Sequence, residues 1–184
     1  MGSIPSAYLA GKYFSKIDIR RHGSGNVGAT NAFRVLGKKI GTLVFATDFT
    51  KGFLPVLLAR GVTPSFLEPE TFLVIAGTFA ILGHIFTPFL GFKGGKGVAT
   101  GAGVLCAVSP TLFFACLGIW LVVFLITRIV AISSLASLVS LLVFSSFLGA
   151  GPILRSFFLG CAILVFWTHR TNLTRLFQRK ESKF

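Results

Sequence analysis

Two short stretches hold the residue types a phosphate-binding site would need. Gly23–Asn31 reads G-S-G-N-V-G-A-T-N, and Lys93–Gly97 reads K-G-G-K-G. Small residues leave backbone N–H groups accessible, and nearby Lys or Arg adds fixed positive charge, which is the chemistry of an anion cradle. In the first stretch Ser24, Asn26, Thr30 and Asn31 offer hydrogen-bonding side chains around Gly25 and Gly28, and Arg34 follows one helical turn later. In the second, Gly94, Gly95 and Gly97 permit close backbone approach, while Lys93 and Lys96 carry charge. A helix starting at Val98 would add its N-terminal amides. Plainer readings exist: a glycine loop entering a helix N-capped by Thr30 or Asn31, and a surface loop whose Gly97 and Gly101 form a close-packing pair. Gly23, Gly25 and Gly28 also match G-x-G-x-x-G with Asp48 downstream. No strand–turn–helix context surrounds them, so a dinucleotide site is not expected.

Two further segments carry polar chemistry. Arg128 precedes Ser133, Ser134 and Ser137, and His169-Arg170-Thr171-Asn172 follows the last apolar run. His169 has the right titration range for a general base, and it could equally cap a helix C-terminus. Serines in membrane helices often bond the preceding turn or join helices. His84 reads as a packing or hydrogen-bonding residue inside an apolar run, and His22 as solvated. Asp48 and Lys51, three apart, share a helix face and are expected to pair towards the bundle, in a structural role or at the edge of a site. The acidic residues number five, Asp18, Asp48, Glu68, Glu70 and Glu181, and no two make a plausible carboxylate metal site. Cys106, Cys116 and Cys161 lie scattered in apolar stretches and offer no metal spacing. No metal and no cofactor are expected.

These residues must be positioned by membrane helices. Of the 184 residues 53% are hydrophobic and only 12% charged, against about a quarter charged in a soluble domain. The expected architecture is an all-α integral membrane protein folded as one helical bundle, a single domain over residues 1–184. No classical signal peptide is visible, because the first apolar stretch lacks a basic segment before it. Apolar runs cover Met1–Gly11, Gly41–Arg60, Thr71–Leu90, Val98–Ile126, Ile129–Gly149 and Pro152–Thr168. The fourth run as one helix would be about 43 Å long, against a hydrocarbon core of about 30 Å. Splitting it at Ser109-Pro110 places fifteen of the eighteen Lys and Arg on one side. The positive-inside rule then predicts seven spans, with the N-terminus outside and the C-terminus cytoplasmic. It also brings both glycine stretches, the Arg128–Ser134 turn and the His169–Asn172 segment to the cytoplasmic face. The net charge of +13 is explained by this topology, and no nucleic-acid partner is expected.

In order along the chain, Gly2–Pro5 (G-S-I-P), Gly23–Asn31, Asp48 with Lys51-Gly52, Gly83–Thr100, Arg128–Ser137 and His169–Leu176 resemble the acyl-phosphate:glycerol-3-phosphate acyltransferases, the PlsY family. The resemblance spans nearly the whole chain. It implies transfer of a fatty acyl group from acyl phosphate to the 1-hydroxyl of glycerol 3-phosphate. Lysophosphatidic acid is formed and phosphate released, as a step of bacterial phospholipid synthesis. It implies a multi-pass protein of the bacterial inner membrane, in contact with membrane lipid, with neither acyl-CoA nor acyl carrier protein as direct donor. By the same resemblance Ser24 and Arg34 are essential residues. Gly94, Gly95, Lys96 and Gly97 form the loop for glycerol 3-phosphate, and Ser134, His169 and Asn172 complete the site. Thr171 stands where the family often has an acid, so no base is available there.

The residues suit that chemistry. Both substrates carry phosphate, and the chain offers two anion cradles. Attack on acyl phosphate needs charge stabilisation at the leaving group and removal of the hydroxyl proton. Lys96 and Arg34 offer the charge. His169 is the one protein group nominated as base, and a substrate phosphate with a second pKa of about 6 is the alternative, favoured by the shortage of cytoplasmic carboxylates. A transporter for a phosphorylated anion would need polar residues along a path through the bilayer. Apart from Asp48, Lys51 and His84 the spans are poor in them.

Overall fold

A computed structural model of the protein describes residues 1–62 and 64–184, and every regular element among them is helical. The chain forms two compact units, Met1–Val108 and Ser109–Phe184.

In the first unit, α1 (Ser6–Phe14), α2 (Ala29–Gly61), α3 (Pro69–Ile85) and α4 (Val98–Val108) are joined through short 3₁₀ turns at Ile19–Arg21 and Pro88–Leu90. Helix α2 packs against each of the other three. It is broken at Gly37, whose φ of 83° and ψ of 175° are not helical. A glycine is needed there for its backbone angle, since open space surrounds the position where a Cβ would sit. The break separates an arm, residues 29–36, from the apolar stretch expected from Gly41 onwards. Close approach of α2 and α4 rests on Gly52 and Gly103. A Cβ on Gly52 would meet the Thr100 carbonyl oxygen, and one on Gly103 the Phe49 carbonyl oxygen. The close-packing pair is thus Gly52 and Gly103, not Gly97 and Gly101. At the far ends of the two helices, Arg60 donates to the Val108 carbonyl at 2.9 Å, so a cation satisfies the last turn of α4.

The first apolar run differs from the expected Met1–Gly11 span. Residues 2–5 are not helical but lie against α3, where Gly2 abuts the Ala80 carbonyl and Thr87 donates to the Ser3 carbonyl at 2.6 Å. The helix begins after Pro5, which has no N–H to offer a preceding turn. At 1.5 Å per residue α1 is about 14 Å long and α4 about 16 Å, each roughly half the hydrocarbon core.

The second unit contains α5 (Pro110–Thr127), α6 (Val130–Phe147), α7 (Pro152–Thr168) and α8 (Arg170–Phe177), with α5 on α6 and α6 on α7. The expected break at Ser109-Pro110 is present. Ser109 is extended, and its side chain N-caps α5 by accepting from Leu112 N at 3.4 Å. Pro110 takes the first helical position, where a missing N–H costs nothing. Arg128, left-handed at φ 58°, closes α5 and turns the chain into α6. Among the described residues, four stretches are long and apolar enough to cross a membrane: Ala29–Gly61, Pro69–Leu90, Pro110–Thr127 and Val130–Phe147. The α7–α8 pair, bent by 56°, makes a fifth if taken as one span. Large apolar side chains such as Phe79, Phe114 and Ile126 point outward, as they would towards lipid rather than water.

Candidate functional site

The first glycine stretch is a built loop. Asp18 caps the turn before it, accepting from Arg20 N at 3.1 Å and from the Arg20 guanidinium at 2.7 and 3.0 Å. This pairing holds the Asp18 carboxyl well below the usual carboxylate range and raises Arg20 in turn. Gly23 and Gly25 have φ of 61° and 73°, conformations that disfavour a Cβ. The buried Asn31 side chain organises the loop from its centre. Its oxygen accepts from Ser24 N at 2.9 Å, and its amide donates to the carbonyls of His22 at 3.1 Å and Asn26 at 3.0 Å. Asn31 therefore shapes the loop, whatever else meets it. The N-cap of α2 is Gly28, not Thr30 or Asn31, which lie in the first turn. Ser24 and Arg34 are exposed on this frame, and Gly25, Asn26, Gly28 and Thr30 are half-buried.

The second stretch is fastened to the end of α3. Gly94 N donates to the Ile85 carbonyl at 2.8 Å and Gly95 N to the His84 carbonyl at 3.2 Å. These two amides satisfy the C-terminal carbonyls of a helix, so they are not the anion donors the sequence suggested. What remains for an anion is the charge of exposed Lys93 and half-buried Lys96, with α4 starting at Val98 directly after the loop. Gly97, at φ 85°, makes the turn into that helix. One apolar cluster joins the first stretch to the turn that leads into the second. Val27 of the first and Leu90, just ahead of the second, are buried together with Ile19, Ala32 and Val44.

The second unit gathers the remaining candidates. Ser133 donates to the Ile129 carbonyl at 3.0 Å and Ser134 to the Val130 carbonyl at 2.8 Å, while Trp120 Nε1 donates to Ser134 Oγ at 3.2 Å. Both hydroxyl protons are thus held by the preceding turn of the same helix. His169 is buried between α7 and α8, with Nδ1 2.8 Å from the Val165 carbonyl. A carbonyl only accepts, so Nδ1 carries the proton and Nε2 is the basic nitrogen of the neutral ring. The histidine caps the helix and keeps its basic edge in a fixed orientation. Asn172 Nδ2 donates to Glu181 Oε1 at 2.8 Å, and Arg175 Nε to Glu181 Oε2 at 2.7 Å. The C-terminal tail returns to the α5–α6 turn, where Phe184 N donates to the Arg128 carbonyl at 2.8 Å. Glu181 escaped the sequence reading, because nothing in the spacing of a polar tail indicates that it folds back on Asn172.

Known proteins decide what this arrangement belongs to. The sequence profile of the family described as glycerol-3-phosphate acyltransferase matches residues 1–179. The chain belongs to the glycerol-3-phosphate acyltransferase family. The glycerol-3-phosphate acyltransferase of Endomicrobium trichonymphae is 43% identical over 182 residues, covering 99% of this chain and 89% of that one. That of Listeria monocytogenes is 43% identical over 187 residues, covering 100% and 91%. Among solved structures, the chain is similar to PlsY, an integral membrane glycerol 3-phosphate acyltransferase, in its glycerol 3-phosphate form. The TM-score is 0.89 at 37% identity, over 100% of this chain and 92% of that one. The lysophosphatidic acid form gives 0.87 at 36% identity. The chain is thus a multi-pass integral membrane glycerol-3-phosphate acyltransferase.

Proposed function

We propose that this chain transfers a fatty acyl group from acyl phosphate to the 1-hydroxyl of glycerol 3-phosphate, releasing lysophosphatidic acid and inorganic phosphate. The whole chain serves as one transferase. It crosses the bacterial inner membrane with its C-terminus and its active face in the cytoplasm, and with α1 and α4 as the short members of a seven-pass arrangement. The observation that carries this reading is the buried cluster shared by the first glycine stretch and the turn that leads into the second. A two-phosphate reaction needs two anion sites close together, and Val27 and Leu90 belong to one buried cluster.

In the reaction the glycerol hydroxyl oxygen bonds to the acyl carbon, and the bond from that carbon to the phosphate oxygen breaks. Phosphate leaves with the electron pair. Lys96 and Arg34 stabilise anionic charge, Ser24 orients the first stretch's ligand, and Asn172 orients a substrate oxygen. The hydroxyl proton passes to His169 Nε2, a role favoured by the Nδ1 contact to Val165. His169→Ala is expected to lower kcat by about 10²–10⁴-fold with little change in either KM. A loss below about tenfold would transfer the proton to a substrate phosphate instead. The donor is tested with purified protein and glycerol 3-phosphate, supplying acyl phosphate, acyl-CoA or acyl carrier protein thioester in turn. Lysophosphatidic acid is expected from acyl phosphate alone, and product from a thioester at equal rate would refute the proposed donor.

A further inference from the structure

We propose that His84 is a positioning residue for the Lys93–Gly97 loop, with its imidazole as the platform on which Gly95 rests and the Asp48–Lys51 pair as the lock behind it. This rests on the reading that the loop holds glycerol 3-phosphate.

The contacts run in one line through the first unit. Lys51 Nζ, buried, donates to the Ile4 carbonyl at 2.7 Å and lies 2.7 Å from Asp48 Oδ1. The cation thereby ties the non-helical N-terminal segment to α2. Asp48 Oδ1 lies 3.7 Å from His84 Nδ1, and Asp48 and His84 are both buried. On the opposite edge of the ring, a Cβ added to Gly95 would land on Nε2, with Cε1 and Cδ2 next nearest. Gly94 meets the same wall, since a Cβ there would strike the His84 and Ile85 carbonyl oxygens. Neither glycine has the left-handed backbone that would demand glycine for its own sake; in this loop only Gly97 does. The pair is glycine because α3 ends directly beneath it. The depth of the loop, and hence of Lys96 that follows, is then set by the imidazole. A buried carboxylate, ammonium and imidazole in one cluster are costly to bury, and fixing the loop gives them a function.

The competing explanation for Gly95 is that a bound phosphate approaches its backbone. A double-mutant cycle separates the two. In detergent, Gly95→Ala is expected to raise KM for glycerol 3-phosphate about tenfold, leaving kcat and KM for acyl phosphate within about threefold. In the His84→Ala background the same glycine substitution should change that KM less than about threefold, because the ring it strikes is gone. His84→Phe keeps a flat ring, so Gly95→Ala should retain its full penalty there. Should His84→Ala not fold, His84→Asn removes the far edge of the ring while leaving a polar group for Asp48. Losses that multiply in the double variant would overturn the platform and favour the phosphate. Thermal midpoints of the same proteins, measured without substrate, should show the same coupling, and additive midpoints would also overturn it. Coupled midpoints with an unchanged KM for glycerol 3-phosphate would instead sink the assignment of the loop to that substrate.

Discussion

The two glycine-rich stretches look alike as sequence and are built on different constraints. In the first, Gly23 and Gly25 have left-handed backbone angles, a Cβ on Gly23 would also strike the Asn31 side chain, and that side chain holds the loop from its centre. In the second, Gly94 and Gly95 are required by space, because the end of α3 fills the volume a Cβ would take. The first loop is shaped by its own hydrogen bonds, the second by what it lies upon. A glycine-rich composition therefore says that backbone must be close or unusual, and not that its amides face a ligand. The amides of Gly94 and Gly95 face helix carbonyls.

Substitutions can break this contrast. The largest effect is expected at Gly94. Gly94→Ala drives a methyl into backbone oxygens that cannot rotate away, and should cost about 3 kcal/mol of stability. It should also lower kcat/KM for glycerol 3-phosphate about 100-fold by displacing Lys96, and Gly94→Asn should be no better. At Gly25 the main constraint is the angle, with the Arg20 carbonyl oxygen 3.0 Å from where a Cβ would sit, so Gly25→Ala should cost about 1–2 kcal/mol. Gly25→Asn, which tolerates that angle, should cost less. Thermal unfolding of the four variants checks both, and equal penalties for Ala and Asn at Gly25 would contradict the contrast. The smallest effect concerns the turn ahead of the first loop. Asp18 is held below its ordinary value by Arg20. A carboxyl with a depressed folded pKa contributes stability that is present above its unfolded pKa of about 3.9 and lost only as pH falls further. Wild type and Asp18→Asn should therefore show parallel stability curves between pH 5 and 8, and the gap between them should close in acid, as Asp18 is protonated.

Much of this was legible in the sequence, for reasons that mark where legibility ends. The break at Ser109-Pro110 follows from proline and a serine cap, both local signals. The Asp48–Lys51 pair follows from their spacing and the cost of lone charge in a span. What could not be read depends on tertiary neighbours. The kink at Gly37 lies among residues of good helical character, and no local rule singles it out from Gly41. The docking of residues 2–5 on α3 turned an apolar start into a non-helical segment and left α1 short. Residue type alone does not separate ligand-binding from backbone-bonded roles for Ser133 and Ser134, whose hydroxyls donate to the preceding turn and keep their acceptor lone pairs. Glu181 reaches Asn172 only because the tail reverses. An apolar run marks His84 as a packing or hydrogen-bonding residue, but its neighbour across the ring, Gly95, is eleven positions away in sequence.

We propose a division of the two substrates between the two stretches, the first serving acyl phosphate and the second glycerol 3-phosphate. Its most direct test is the pair of KM values in Arg34→Ala and Lys96→Ala, measured by lysophosphatidic acid formation from acyl phosphate. Arg34→Ala should raise KM chiefly for acyl phosphate and Lys96→Ala chiefly for glycerol 3-phosphate, each by about tenfold or more. If both substitutions raise the KM of the same substrate, the division is wrong and the two stretches form a single anion site.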